Sequence, residues 1–113
     1  MTNFPFFQHY AIKLIFTKEV EINEKFIDQI ANLLINNLRL NVVKQEKHQF
    51  PNNGLTKFWI LSQSHLVIHS WPENNALHFD LMTCRSTVIT SKIIKDYLSP
   101  FPINDISVTE LKY

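Results

Sequence analysis

The sequence predicts an α+β fold, a two-layer α/β sandwich in which two helices lie on one face of a mainly antiparallel sheet. Several short segments alternate apolar and polar residues as strands do, and two longer segments repeat apolar residues at helical spacing. The strand-like segments follow one another through short turns, which favours antiparallel pairing. The other sheet face then needs cover, and this need favours a dimer. At 113 residues, we expect a single domain over 1–113.

The first half of the chain predicts two strands on either side of a helix. Ile12, Leu14 and Phe16 alternate along a strand at 10–16. Asn23 can cap the helix that follows, because apolar residues then recur at helical spacing to about residue 38. A second strand is expected at 41–48, and the only glycine, Gly54, ends the loop after it.

The second half predicts strands, one helix and a final strand. The expected strands lie at 57–61, 65–71, 77–83 and 106–111, with a turn at 72–75 and a helix at 88–98. The strand pattern is interrupted at 62–64, and Pro100 and Pro102 end the helix. No linker or internal repeat divides these elements.

Composition excludes several classes of protein. A net charge of +1 provides no basic surface for nucleic acid. The single cysteine, Cys84, cannot form an internal disulfide, which favours a reducing, intracellular setting. No apolar run approaches the roughly 20 residues that span a bilayer, and the first residues lack the features of a signal peptide. We therefore expect a soluble, cytoplasmic protein without nucleic-acid or membrane partners.

The segment 62–73 is unusually rich in groups that can do chemistry. It contains three serines, two histidines, a tryptophan and a glutamate, and Cys84 follows shortly after. Hydroxyl, imidazole and thiol groups attack carbonyls and carry protons. On a strand, His65, His69 and Trp71 share one face and Ser64 shares the other. A lone histidine such as His69 is most often only a half-buried, hydrogen-bonded residue.

Two chemical interpretations of this segment can be weighed from residue types. A metal site would draw on His65, His69, His78 and Cys84. However, positions i and i+4 of a strand lie roughly 13 Å apart, so no metal site is expected. A nucleophilic site would use Ser64, at the break in the strand, with His69 to orient or deprotonate it. No Gly-x-Ser-x-Gly elbow surrounds Ser64, so a hydrolase triad has little support.

Three motifs together resemble a known family. They are Gly54-Leu55-Thr56, then Leu61-Ser62-Gln63-Ser64-His65-Leu66-x-Ile68-His69-Ser70-Trp71-Pro72-Glu73, then Asp80-Leu81-x-Thr83-Cys84. This pattern closely resembles the short prokaryotic S-adenosylmethionine decarboxylases. The resemblance implies an inactive proenzyme that cleaves itself between Gln63 and Ser64, giving a β chain (1–63) and an α chain (64–113). Ser64 would become a pyruvoyl group, which forms a Schiff base with the substrate amine and accepts electrons during decarboxylation.

The resemblance also implies roles for other residues. His69 would help to remove the α-proton of Ser64 during processing, and Thr56 would assist the ester intermediate. Cys84 would reprotonate the decarboxylated carbon, although a lone cysteine can also be a small buried hydrophobe. For the substrate, Phe50 and Trp71 would flank the adenine and Glu73 would hold the ribose hydroxyls. The alternatives are core packing for Phe50 and turn capping for Glu73.

Two positions depart from the family pattern. Gln63 replaces the usual glutamate before the serine, and Arg85 replaces a common glycine after the cysteine. The expected function is S-adenosylmethionine decarboxylation for spermidine biosynthesis, by a homodimer of processed protomers. The alternatives are decarboxylation of arginine or ornithine on the same fold, or an uncleaved homologue that only binds ligand or a partner subunit.

Overall fold

The computed structural model describes residues 4–85 and 87–113. Within these residues, six strands and two α-helices form two layers, as the sequence predicts. Their bounds are β1 (Gln8–Phe16), α1 (Glu24–Asn37), β2 (Val42–Gln49), β3 (Leu55–Leu61), β4 (Ser64–Trp71), β5 (Ala76–Thr83), α2 (Ser91–Leu98) and β6 (Ile103–Glu110). A 3-10 turn at Pro72–Asn74 connects β4 to β5. Neither α-helix is long and apolar enough to cross a membrane.

The strands form one sheet in the order β2-β3-β4-β5-β1-β6. Every pairing in it is antiparallel, so the expectation of a mainly antiparallel sheet is confirmed. Strands β2 to β5 follow one another through short connections, whereas β1 lies between β5 and β6, which come late in the chain. The β5-β1-β6 end of the sheet therefore combines the first strand of the chain with its last two.

The core lies between the sheet and α1 and α2. Tyr10, Ile12, Leu14 and Phe16 are buried along one face of β1, as their alternation predicts. Helix α1 turns its own apolar stripe toward them, with Ile27, Ile30, Ala31, Leu34 and Ile35 buried. Burying one such aliphatic side chain contributes about 1.5–3 kcal/mol. This packing holds both helices on the same sheet face.

Asn23 caps helix α1, as the sequence predicts. Its side chain accepts a hydrogen bond of 2.9 Å from the backbone N–H of Phe26. This bond satisfies one of the N–H groups that lack a partner in the first turn of a helix.

Helix α2 begins later than the sequence predicts, at Ser91 rather than at residue 88. Thr90 caps the helix and accepts a hydrogen bond from the N–H of Ile93. The residue before it, Ile89, is buried and tied to β1 from both sides of its backbone. Its N–H donates to Gln8 Oε1 at 2.7 Å, and its carbonyl accepts from the Tyr10 hydroxyl at 2.6 Å. These tertiary bonds keep Ile89 out of the helix.

We call the sheet face away from the helices the open face. Its members are alternate residues of four strands, and all are half-exposed or exposed: His9, Ala11, Lys13, Ile15, Thr56, Phe58, Ile60, His65, Val67, His69, Trp71, Ala76, His78, Asp80 and Met82. It includes three large apolar side chains that are each more than 40% exposed, Ile15, Ile60 and Trp71. The open face also contains most of the histidines, so it positions much of the candidate chemistry.

Candidate active site

The β3–β4 hairpin places Ser64 directly after a strained turn. Leu61 pairs with Ser64, so Ser62 and Gln63 form the two-residue loop. Gln63 has φ = 61°, in the left-handed region. A side chain in that region crowds its own carbonyl and costs about 1–2 kcal/mol. The strain lies at the residue whose carbonyl forms the bond to Ser64.

Cys84 lies beside Ser64 because β5 pairs with β4. The Ser64 hydroxyl donates to the carbonyl oxygen of Ser62 at 3.3 Å, and the Cys84 thiol donates to the same oxygen at 3.4 Å. The thiol also lies 3.8 Å from Oε1 of Gln63. Residues 62, 63, 64 and 84 therefore form one group, which we call the serine–cysteine group. It brings a nucleophilic hydroxyl and a potential proton donor together.

A second group of candidate residues lines a cleft of about 280 Å³. Phe50, Thr56, His69 and Trp71 all line this cleft, and we call them the histidine group. Thr56 and His69 are paired across β3 and β4, and Oγ1 of Thr56 hydrogen-bonds to Nδ1 of His69 at 2.8 Å. Phe50 and Trp71 are 43% and 45% exposed. The cleft therefore combines an oriented imidazole with two aromatic rings that are accessible to a ligand.

Two other predicted positions lie outside both groups. Glu73 lies in the 3-10 turn after Trp71 and lines a neighbouring cavity instead of the cleft. Arg85 follows Cys84 directly, but its guanidinium donates to the backbone carbonyl of Arg39, just after α1. The added charge of Arg85 is therefore anchored on the helical layer of the protein.

A single chain does not bring Ser64 and His69 together. They lie five residues apart on β4, a separation of about 16 Å along a strand. Alternation also puts them on opposite sheet faces, since Ser64 shares its face with the buried Leu66 and Ile68. The expected action of His69 on Ser64 therefore has no support within one chain, because residues close in sequence diverge along an extended strand.

The open face also holds a cluster that the sequence interpretation missed. Oδ1 of Asp80 lies 2.7 Å from Nε2 of His9 and 3.1 Å from Nε2 of His65. Burial alone would raise the pKa of Asp80, but hydrogen bonds from His65 and His9 outweigh burial and hold that pKa below its ordinary value. Alternation places all three on one face, but only the strand register makes them neighbours, because His65 and His9 both pair with Met82.

His78 adds a further imidazole beside the histidine group. It pairs with His69 across β4 and β5, and the two ring centroids are 6.4 Å apart. Burial lowers the pKa of His78, and the neighbouring His69 lowers it further. His78 therefore favours the neutral form at pH 7.

Comparison with known proteins identifies the family. The model of the family described as S-adenosylmethionine decarboxylase matches residues 9–112. The S-adenosylmethionine decarboxylase proenzyme of Archaeoglobus fulgidus is 30% identical over 92 residues, which cover 81% of this chain and 79% of that protein. The proenzyme of the same name from Clostridium botulinum strain Langeland is 31% identical over 72 residues, 64% of this chain and 62% of that one.

A solved structure has the same fold. The adenosylmethionine decarboxylase of Aquifex aeolicus superposes with a TM-score of 0.72 at 21% identity, covering 93% of this chain and 88% of that one. The family match extends over nearly all of the described strands and helices and includes every residue of the serine–cysteine and histidine groups. The chain belongs to the S-adenosylmethionine decarboxylase family.

Proposed function

We propose that the protein is an S-adenosylmethionine decarboxylase made as a proenzyme, which cleaves its own backbone between Gln63 and Ser64. The observation that carries this proposal is the serine–cysteine group, in which a hydroxyl and a thiol share one acceptor beside a strained turn. Family membership supports the same conclusion. The decarboxylated product would supply aminopropyl groups for spermidine biosynthesis.

In the proposed self-processing, Oγ of Ser64 attacks the carbonyl carbon of Gln63 and replaces the peptide bond with an ester. Removal of the Ser64 α-proton then expels the carboxylate of Gln63, which ends the β chain (1–63). Uptake of water and loss of ammonia leave a pyruvoyl group at the start of the α chain (64–113). The left-handed backbone of Gln63 favours the first step, the attack of Ser64 on the carbonyl of Gln63, because breaking the peptide bond releases the strain at Gln63.

The residues around Ser64 suit a pyruvoyl group at this position. The group would be held through the backbone nitrogen of His65, whose ring is fixed by the hydrogen bond to Asp80. It supplies an electrophilic carbonyl, which accepts the electron pair left by a departing carboxylate. Cys84 has its thiol within 3.4 Å of the Ser62 carbonyl, and we assign it the return of a proton to the substrate carbon.

The histidine group suits the nucleoside end of S-adenosylmethionine. Phe50 and Trp71 expose aromatic faces at the cleft, on which a purine can stack and toward which a sulfonium cation is attracted. Glu73, in the turn beside the cleft, is assigned to the ribose hydroxyls. The hydrogen bond between Nδ1 of His69 and the Thr56 hydroxyl fixes the imidazole ring, which we assign to removal of the Ser64 α-proton.

These assignments require a homodimer, because the two groups lie at different places on one chain. We propose that the open faces of two copies pack together. The serine–cysteine group lies at the hairpin end of β4, where Ser62 and Gln63 are exposed and Ser64 and Cys84 are half-exposed, so it can be reached around the end of the sheet. Two-fold symmetry would then bring the partner's histidine group to that end of the first copy, and it would do so twice. The exposed apolar side chains of the open face, including Ile15, Ile60 and Trp71, support this contact.

Intact-mass measurement on the purified protein tests the proposal. We expect two fragments divided at Gln63–Ser64, with a summed mass equal to that of the intact chain plus water minus ammonia. Ser64→Ala should leave one intact chain, whereas Ser62→Ala, in the same turn, should still be cleaved. An unbroken wild-type chain with a serine at position 64 would support the alternative of an uncleaved homologue, which has no need for Ser64, His69 and Cys84 together.

Substrate assays test the finer assignment. Carbon dioxide release should be fastest with S-adenosylmethionine, and arginine and ornithine should be poor substrates because neither has a purine for Phe50 and Trp71. Faster release from arginine or ornithine would contradict the substrate and leave the reaction type in place.

A further inference from the structure

The cluster of His9, Asp80 and His65 has the composition of a metal site. Its three nitrogen and oxygen atoms lie within 4.8 Å of one another. The side chains are 16%, 40% and 39% exposed, so an ion can reach them from the open face of a single chain. Two imidazoles and one carboxylate on one side of an ion are a recurrent set of ligands for transition metals.

The orientation of the rings suits coordination by Nε2. Both Nε2 atoms point at the same carboxylate oxygen, at 2.7 and 3.1 Å. The ligand atoms around a tetrahedral zinc ion are about 3.3 Å apart, given bonds of about 2.0 Å. A small outward movement of the side chains would therefore admit an ion.

A second polar contact supports the same orientation. Nδ1 of His9 lies 3.1 Å from the hydroxyl of Tyr113, which can accept a hydrogen bond from that nitrogen. Histidines that bind metal through one nitrogen commonly donate from the other to an oxygen, which fixes the ring and its tautomer.

The charge of the cluster also favours a cation. Among the described residues, the only ionic contacts of Asp80 are with His9 and His65, which are charged only when protonated. With neutral imidazoles the cluster has one negative charge, on a face that the proposed dimer would remove from water. A bound divalent ion would give this carboxylate a permanent cationic partner.

We propose that His9, His65 and Asp80 bind a divalent transition metal ion of the zinc type. Imidazole ligands favour Zn²⁺, Co²⁺, Ni²⁺ and Cu²⁺ over Mg²⁺. The ion would connect β1, β4 and β5 at the end of the sheet next to Ser64. The site does not depend on decarboxylase activity, so either proposal can fail while the other holds.

Titration of the chelator-treated protein with Co²⁺ tests the site, followed by displacement with Zn²⁺. We expect one Co²⁺ per chain, with visible absorption of a nitrogen–oxygen site and no thiolate charge-transfer band. His9→Ala, His65→Ala and Asp80→Asn should each weaken binding at least about tenfold, since each alanine removes a direct ligand and the asparagine replaces a charged ligand with a neutral one. Circular dichroism of the metal-free variants checks that they are folded.

Two control variants remove other ligands of the same types. His48→Ala, on the exposed strand β2, and Cys84→Ser should bind Co²⁺ as tightly as wild type. The proposal fails if wild type binds no more Co²⁺ than a variant with all three ligands replaced, or if Cys84→Ser abolishes binding. It also fails if Mg²⁺ displaces Co²⁺ as effectively as Zn²⁺ does.

Discussion

The hydroxyl of Thr56 lies 2.8 Å from Nδ1 of His69, across the β3–β4 pairing. This contact engages Nδ1, so the nitrogen that His69 can offer to a reacting group is Nε2. We expect Thr56→Val to slow self-cleavage, because the ring loses its hydrogen bond, and Thr56→Ser to retain wild-type cleavage. Denaturing electrophoresis at timed intervals after refolding measures the rate. Equal rates for the valine and serine variants would contradict this positioning role.

Cys84 should matter after cleavage more than during it. We predict that Cys84→Ala is still cut at Gln63–Ser64 but turns over S-adenosylmethionine at least about tenfold more slowly, because a positioned proton donor contributes about 10²–10⁴-fold. Fragment analysis and carbon dioxide release, performed on the same preparation, separate the two effects. A parallel loss of cleavage and turnover would remove the proposed division of labour between Ser64 and Cys84.

Because the backbone of Gln63 is left-handed, we expect that relieving its strain would stabilise the uncleaved chain and slow self-cleavage. Gln63→Gly removes the crowding at φ = 61° and should stabilise the uncleaved Ser64→Ala background by about 1 kcal/mol. In the cleavable chain, the same change should slow cleavage, because less strain is released. Asn53→Gly is the matched control, since Asn53 has φ = 69° in the β2–β3 loop. If both glycine variants cleave at the wild-type rate, strain plays no part in processing.

We expect the lowered pKa of Asp80 to make the folded protein less stable in acid. Burial alone would raise the pKa of Asp80, but hydrogen bonds from His65 and His9 hold that pKa below the ordinary value of an aspartate. Between the folded and the unfolded pKa, the unfolded chain therefore binds a proton more readily. The contribution of Asp80 is therefore complete above about pH 4 and is lost as pH falls through the folded pKa. Urea unfolding in the presence of chelator should show a smaller decline from pH 5 to pH 3 for Asp80→Asn. A decline equal to that of wild type would contradict this source of acid sensitivity.

We expect the buried ion pairs of Lys57 to stabilise the fold. Its ammonium lies 2.7 Å from Asp28 and 3.0 Å from Glu24 on α1, while the residue is only 6% exposed. Burial alone would lower the pKa of Lys57, but the two carboxylates outweigh burial and raise it.

Lys57→Ala should lower the free energy of unfolding by about 1–3 kcal/mol, a range reduced because solvent screens the partly exposed carboxylates. Lys57→Met should cost less, since it retains the packing of the stem. Denaturant titration measures both, with Lys92→Ala in the exposed pair with Asp96 as a control expected to change nothing measurable. A methionine variant as unstable as the alanine variant would assign the effect to charge alone.

Sequence alone was sufficient for features that depend on local periodicity. The alternation in β1 and the Asn23 cap are both present in the structure. Local periodicity could not predict the register of the strands or the tertiary hydrogen bonds. The cluster of His9, His65 and Asp80 depends on how three strands align. The late start of α2 depends on the hydrogen bonds that Ile89 makes with Gln8 and Tyr10. The resemblance identified Ser64 and His69 as partners, but a strand keeps them on opposite faces.

The position of β1 between β5 and β6 has a consequence for a protein that cuts itself at the β3–β4 hairpin. The amino-terminal product would contribute β1, β2 and β3, and the carboxy-terminal product β4, β5 and β6. In the sheet the two products are intermixed, because β1 of the first product lies between β5 and β6 of the second. Neither product could therefore leave without breaking three of the five strand pairings, β3–β4, β5–β1 and β1–β6.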